Sequence, residues 1–228
     1  MNLFANEVRE RAATTIAPGA VWLRQWLSLD EQRSLVARCR ELMEGPAGGY
    51  VPTVRGGGQM RVRMMCLGRH WNPLTYTYTG TRADHDGAPV APVPEEWVAL
   101  ASAIAADARR HPDSGFGETA AFSPDICLIN FYGPDGRMGL HQDKDESAAS
   151  LAAGQPVVSL SIGDTARFMF GGFKRRDPVE TILLESGDAF VFGGASRLRY
   201  HGVSRIVPGT APALLGLDGR FNLTFRKY

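Results

Sequence analysis

From residue 125 to the end, the chain carries no helical pattern. Short segments rich in β-branched and aromatic residues, at 125–132, 156–162, 167–171, 180–185, 188–193, 198–203 and 220–226, are cut apart by Gly and Asp. Strands and turns alternate in this way. Seven or eight strands with no helix between them exclude a parallel sheet and predict a sandwich or jelly roll. Two amphipathic helices precede them. Ser28 and Glu31 form a capping box, Leu35, Val36, Cys39, Leu42 and Met43 recur on one face, and Gly45-Pro46 ends the pattern. Pro94-Glu95-Glu96 opens the second helix, whose stripe is Trp97, Leu100, Ala101, Ile104 and Ala108. The expected fold is α+β, mainly β: a jelly roll with N-terminal helices packed on one sheet.

A chain of 228 residues supports one domain with a sizeable core. Within it we distinguish an N-terminal helical segment (1–47), a stretch rich in Gly, Arg and aromatics (48–90), and the second helix with the strands (91–228). The formal net charge is +1, so any nucleic-acid contact must come from a local cluster rather than an overall field. The densest such cluster is Arg55, Arg61, Arg63 and Arg69, interleaved with Trp71, Tyr76 and Tyr78. It suits either phosphates and stacked bases or a solvated hairpin whose aromatics cover the core. Three cysteines without CxxC spacing predict reduced, buried thiols and a cytoplasmic protein. Neither a leader pattern at the N-terminus nor an apolar run of membrane-spanning length is present, so no membrane partner is expected.

Chemistry concentrates in Gly139-Leu140-His141-Gln142-Asp143-Lys144-Asp145-Glu146. In an extended chain His141 and Asp143, two apart, point the same way. His201, sixty positions later on its own predicted strand, is available as a third ligand. Two His and one carboxylate hold Fe(II) in non-haem oxygenases, although the same donors can also hold zinc in a hydrolase. The last strand, 220–226, alternates strictly, so Arg220, Asn222 and Arg226 share a face; Asn130 and Tyr132 share one on the strand 125–132. Such faces either meet water or line a cavity suited to a small dianion.

Residues 125–228 resemble the AlkB family of Fe(II)- and 2-oxoglutarate-dependent dioxygenases, which repair alkylated nucleic-acid bases. The resemblance rests on Leu128–Tyr132, the run from His141 to Glu146, Gly171-Gly172-Phe173-Lys174-Arg175, Gly193 to Gly202, and the Arg-x5-Arg strand 220–226. It implies Fe(II) bound by His141, Asp143 and His201, and 2-oxoglutarate held by Arg220 and Arg226 with Asn130, Tyr132 and Asn222. O2 is the third reactant. Trp71 and His141 would sandwich a flipped base, with Tyr78, Asp145, Glu146 and Arg175 near it or its phosphates, and the segment 48–90 would be a nucleotide-recognition lid. The implied activity is oxidative demethylation of bases of the 1-methyladenine and 3-methylcytosine type in single-stranded DNA, with RNA or a base flipped from duplex DNA as further substrates, by a monomer. Alternatives are an oxygenase acting on RNA modification or a protein side chain, and a barrel that binds nucleic acid without turnover. Met138 and Gly139 depart from the family's pattern beside the pocket.

Overall fold

The structure, a computed structural model, describes residues 12–45, 48–117 and 121–228. The first residues, read above for a leader, and Pro46 of the first helix stop lie outside them. Strands β1 (Ala13–Ala17) and β2 (Ala20–Leu23) form a hairpin before helix α1 (Leu29–Glu44), so the segment expected to be helical contributes strands as well. Gly19 makes the hairpin turn at φ +78°, where a Cβ would lie 2.3 Å from the Gly193 carbonyl oxygen. The Ser28–Glu31 capping box is present at the start of α1.

Strands β3 (Arg63–Leu67), β4 (His70–Asn72) and β5 (Thr77–Thr79) follow, then helix α2 (Glu95–Arg110). The remainder is β6 (Ile126–Tyr132), β7 (Met138–His141), a short helix α3 (Ala148–Ala152), β8 (Val157–Gly163), β9 (Thr165–Phe170), β10 (Glu180–Leu184), β11 (Ala189–Phe192), β12 (His201–Val207) and β13 (Arg220–Arg226). The predicted strand at 198–203 instead begins at His201, because residues 194–196 form a 3-10 turn.

Seven strands pair in the order β1-β2-β11-β8-β13-β6-β3, and four in the order β10-β9-β12-β7. The two sheets face each other as the expected jelly roll, also called a double-stranded β-helix. Period-two alternation divides the large sheet. Phe221, Leu223 and Phe225 of β13 join Val158, Leu160 and Ile162 of β8 in a core with Leu35 and Val36 of α1 and Trp97 and Ile104 of α2. The helices therefore cover this face, as their apolar stripes predict. The other face turns toward the small sheet, where Phe168, Phe170, Phe190 and Phe192 form a second core. Their rings approach to 5.0 Å for Phe168 with Phe190 and 5.1 Å for Phe170 with Phe190. What alternation leaves on this inner face of β13 is Arg220, Asn222, Thr224 and Arg226, all buried.

Candidate active site

The two sheets enclose a cavity of about 560 Å³, within the size range of small-molecule sites. The end of it that could hold a metal ion is built by the small sheet. Antiparallel pairing of β7 with β12 sets His201 directly opposite His141, with ring centroids 4.4 Å apart. β7 ends at His141, so Asp143 reaches the same point from the following loop rather than from strand alternation. Its carboxylate oxygens lie 3.6 Å from His141 Nε2 and 3.5 Å from His201 Nε2. One ligand atom from each of the three residues falls within 4.8 Å of the others. Each imidazole donates Nδ1–H to a carbonyl, His141 to Gly139 (2.9 Å) and His201 to Arg199 (3.1 Å). Those bonds fix the tautomer and leave both Nε2 lone pairs free. Burial and the neighbouring His201 push the His141 imidazole down to about 4, so it is neutral at pH 7.

Asp143 is anchored from behind. Arg226 Nη2 lies 2.7 Å from its Oδ1, and Arg226 also reaches Glu146 at 3.4 Å and donates to Tyr78 Oη at 2.6 Å. Arg197 pairs with Glu146 at 2.9 Å and donates to the Asp143 main-chain carbonyl. Burial would raise the Asp143 carboxyl, but Arg226 and the two histidines outweigh it and hold it well below the usual carboxylate range. The Asp143 carboxylate is therefore ionised, and its Oδ2 is buried without a hydrogen-bond partner.

Arg220 differs. It is 1% exposed and donates to Ser161 Oγ (2.7 Å) and the Leu184 carbonyl (3.3 Å), while its Nε is unpartnered. Among the described residues no carboxylate lies within ion-pair distance of it. Burial lowers its pKa to about 10, with Tyr132 and Asp188 acting weakly the other way. A buried guanidinium without a counterion lacks the compensation that buried charges require. Tyr132 stands opposite Arg220, and Asn130 opposite Asn222, across β6 and β13. All four line the cavity, and Asn130 Oδ1 is buried without a partner. Asn222 is already committed to the wall: its amide donates to Ser159 Oγ and the Leu160 carbonyl, and it accepts from Thr224 Oγ1.

At the outer end, Trp71 of the β4–β5 hairpin lines the cavity and donates Nε1–H to Asp145 at 2.8 Å. Burial raises the Asp145 carboxyl, with Glu146 adding to it and the Trp71 N–H opposing it. Arg175 lines the mouth with its guanidinium 5.7 Å from the Tyr200 ring centroid. Tyr78 and Glu146, expected near a base, instead lie behind Arg226, both buried, because each satisfies that buried cation. Tyr76, noted only as one aromatic of the cluster, lines the cavity and is 44% exposed. Arg197 lies within the Gly193–Gly202 run that carries the family resemblance, but nothing in the sequence assigns it a role, since its partners are brought to it only by folding. Of the basic cluster, Arg69 stacks on Tyr228 at 4.0 Å and Arg63 donates to the Gly49 carbonyl, while Arg55 and Arg61 are exposed.

This donor set suits Fe(II): two neutral imidazole nitrogens and an ionised carboxylate converge from one side. The unpaired Arg220 suits the far carboxylate of 2-oxoglutarate.

Comparison with known proteins is consistent with that fit. The family described as the 2OG-Fe(II) oxygenase superfamily matches residues 19–226. The chain is 43% identical over 229 residues to the DNA N(6)-methyladenine demethylase ALKBH1C of Arabidopsis thaliana, covering 95% of this chain and 50% of that protein. It is 38% identical over 229 residues to the alpha-ketoglutarate-dependent dioxygenase AlkB of Salmonella typhimurium, covering 100% of this chain and 97% of that protein. The chain thus spans about half the length of the plant relatives and nearly all of the bacterial one. The solved structure of OsALKBH1 superposes with a TM-score of 0.86 at 43% identity, covering 95% of this chain and 100% of that one.

Proposed function

Because the chain belongs to the 2OG-Fe(II) oxygenase superfamily, and within it to the AlkB family, we propose that it removes alkyl groups from nucleic-acid bases by oxidation. The observation that carries the co-substrate assignment is Arg220, a buried cation with no protein carboxylate, in the same cavity as the three ligands. Bound Fe(II) with 2-oxoglutarate and O2 supplies hydroxylation of an N-methyl carbon, which then leaves as formaldehyde while 2-oxoglutarate leaves as succinate and CO2.

The chain's own residues prepare that reaction. His141 and His201 present Nε2 because their Nδ1 protons are held by carbonyls, and Arg226 keeps Asp143 ionised. Arg220 orients the co-substrate from the opposite sheet. Phe168, Phe192 and Val157 give the cavity an apolar wall on one side, which disfavours water there. Trp71 offers an aromatic face to the base, and the Asp145 carboxylate beside it favours bases that carry positive charge, as 1-methyladenine and 3-methylcytosine do. Alkylation at those atoms blocks pairing, which lowers the cost of extruding the base and favours single-stranded DNA; RNA and a base flipped from duplex DNA are further substrates. The protein acts as a monomer. The three buried, unpaired cysteines support a reducing cytoplasmic location, and among the described residues no helix is long and apolar enough to cross a membrane.

The test is turnover of single-stranded oligonucleotides carrying 1-methyladenine, 3-methylcytosine or N6-methyladenine, with Fe(II), ascorbate and 2-oxoglutarate. Formaldehyde and restored base are expected from the first two. Succinate without a restored base from any of them would redirect the reading to another substrate, such as a modified RNA or a protein side chain.

A further inference from the structure

The turn between β9 and β10 carries a feature that cavity chemistry does not use. Phe173 is 54% exposed, yet it stands on a built support. The Arg199 guanidinium lies 5.1 Å from the Phe173 ring centroid and 5.7 Å from that of the buried Phe170, joining the exposed ring to the inner core. Arg199 Nη1 donates to the Gly171 carbonyl at 2.9 Å. Gly171 N–H donates to the Tyr200 carbonyl and Tyr200 N–H to the Gly172 carbonyl, both at 2.8 Å, so the base of the turn is clamped. Beyond it, Asp177 closes the tip by accepting from the Lys174 N–H at 2.9 Å. A Cβ at Gly172 would lie 2.2 Å from that carboxylate, so the tight tip excludes a side chain there.

The tip is cationic, with Lys174, Arg175 and Arg176 in succession and its one carboxylate engaged by backbone. Arg175 lines the mouth of the cavity, two positions from Phe173. A preorganised exposed ring among cations, beside a cavity read as holding a base, has the composition of a single-strand stacking platform.

We propose that Phe173 stacks on the nucleotide adjacent to the one in the cavity, with Lys174 and Arg176 meeting its phosphates, so that this turn reads single-stranded nucleic acid outside the active site. This rests on the reading that the cavity takes a nucleobase. Stacking contacts of this kind weaken binding by about tenfold when the ring is removed, about 1.4 kcal/mol.

The experiment measures binding of the full chain to an unmodified single-stranded DNA oligonucleotide by fluorescence anisotropy, with 2-aminopurine substituted along a second oligonucleotide as a stacking reporter. Phe173→Ala and Phe173→Leu should both weaken affinity about tenfold and abolish quenching at one position, and Phe173→Trp should restore both. Unchanged affinity in Phe173→Ala, or full affinity in the apolar but non-aromatic Phe173→Leu, would overturn the proposal. Binding needs no turnover, so the two readings fail separately. Phe173-dependent binding without demethylation of any substrate would sink the demethylase reading alone, and demethylation with Phe173-independent affinity would sink the platform alone.

Discussion

Arg197 makes the strongest stability prediction. It follows the 3-10 turn Gly194–Ser196, is 3% exposed, and ties three segments together. Its Nε donates to the Gln155 carbonyl (2.8 Å), Nη1 to the Asp143 carbonyl, and Nη2 to Glu146 (2.9 Å). Arg197→Met preserves much of the volume but leaves two carbonyls unmet and the fully buried Glu146 carboxylate with only Arg226, at 3.4 Å, as a counterion. Removing one partner of a buried ion pair costs about 3–5 kcal/mol, and the surviving Arg226 contact places this case near the lower end, at about 3. For a domain of this size that corresponds to a fall in Tm of roughly 6–12 °C. Calorimetric unfolding of the metal-free protein at pH 7 measures it. Adding Glu146→Leu should recover about 1–2 kcal/mol, since the pair is coupled and the orphaned charge is then gone. The variant should also bind Co(II) or Fe(II) about 10–100-fold more weakly, because the Asp143 loop loses its anchor. A loss below about 1 kcal/mol, or no recovery in the double variant, would show that Arg226 alone satisfies Glu146 and would refute the reasoning.

Three further outcomes follow from other groups of the site and core. Arg220→Met should raise the KM for 2-oxoglutarate at least tenfold, from the loss of charge-assisted bonds worth about 1.5–3 kcal/mol. The same variant without ligands should be no less stable than the parent, because burial already works against that cation, lowering it to about 10; a clearly lower ligand-free Tm would count against an unmet charge. His141 is pushed below its ordinary value of 6.5 to about 4, so between these values the unfolded chain takes up the proton first. Metal-free stability should therefore fall as pH drops from about 6.5 to about 4, and less steeply in His141→Gln; identical slopes would rule out this contribution. Burial raises the thiols of Cys39 and Cys66 to about 12 and that of Cys127 well above its ordinary value. A colorimetric thiol reagent at pH 8 should detect none of the three in native protein and all three after denaturation, and rapid labelling of any one would contradict its burial.

What was legible in the sequence depended on periodicity. Strict alternation in residues 220–226 placed Arg220, Asn222 and Arg226 on one face, and alternation in the earlier strand placed Asn130 and Tyr132 on one face of theirs; that the two strands pair and set these residues opposite one another came only from the fold. Capping chemistry and helical stripes likewise located α1 and α2. Features that arise from pairing between distant segments were not legible. The β1–β2 hairpin gains its place by adding to β11, a partner more than 160 residues away, which no local pattern encodes. Tyr78 and Glu146 resemble neighbouring base-contact candidates in sequence, but a buried Arg226 draws both inward. Register also decided what spacing left open for His201, setting it opposite His141.

The site is divided between its two walls: the metal ligands project from the four-stranded sheet side and the unmet cation from the seven-stranded sheet. A dicarboxylate held by Arg220 must also reach the three ligands, so the gap between the sheets acts as a ruler for its length. That gap is filled by the Phe168, Phe170 and Phe190 rings and bridged by the Arg220 bond to the Leu184 carbonyl and by the Arg226–Asp143 ion pair. Co-substrate length is thereby coupled to the packing that sets this gap, and thinning those rings should relax the choice of co-substrate before it disturbs the ligands themselves.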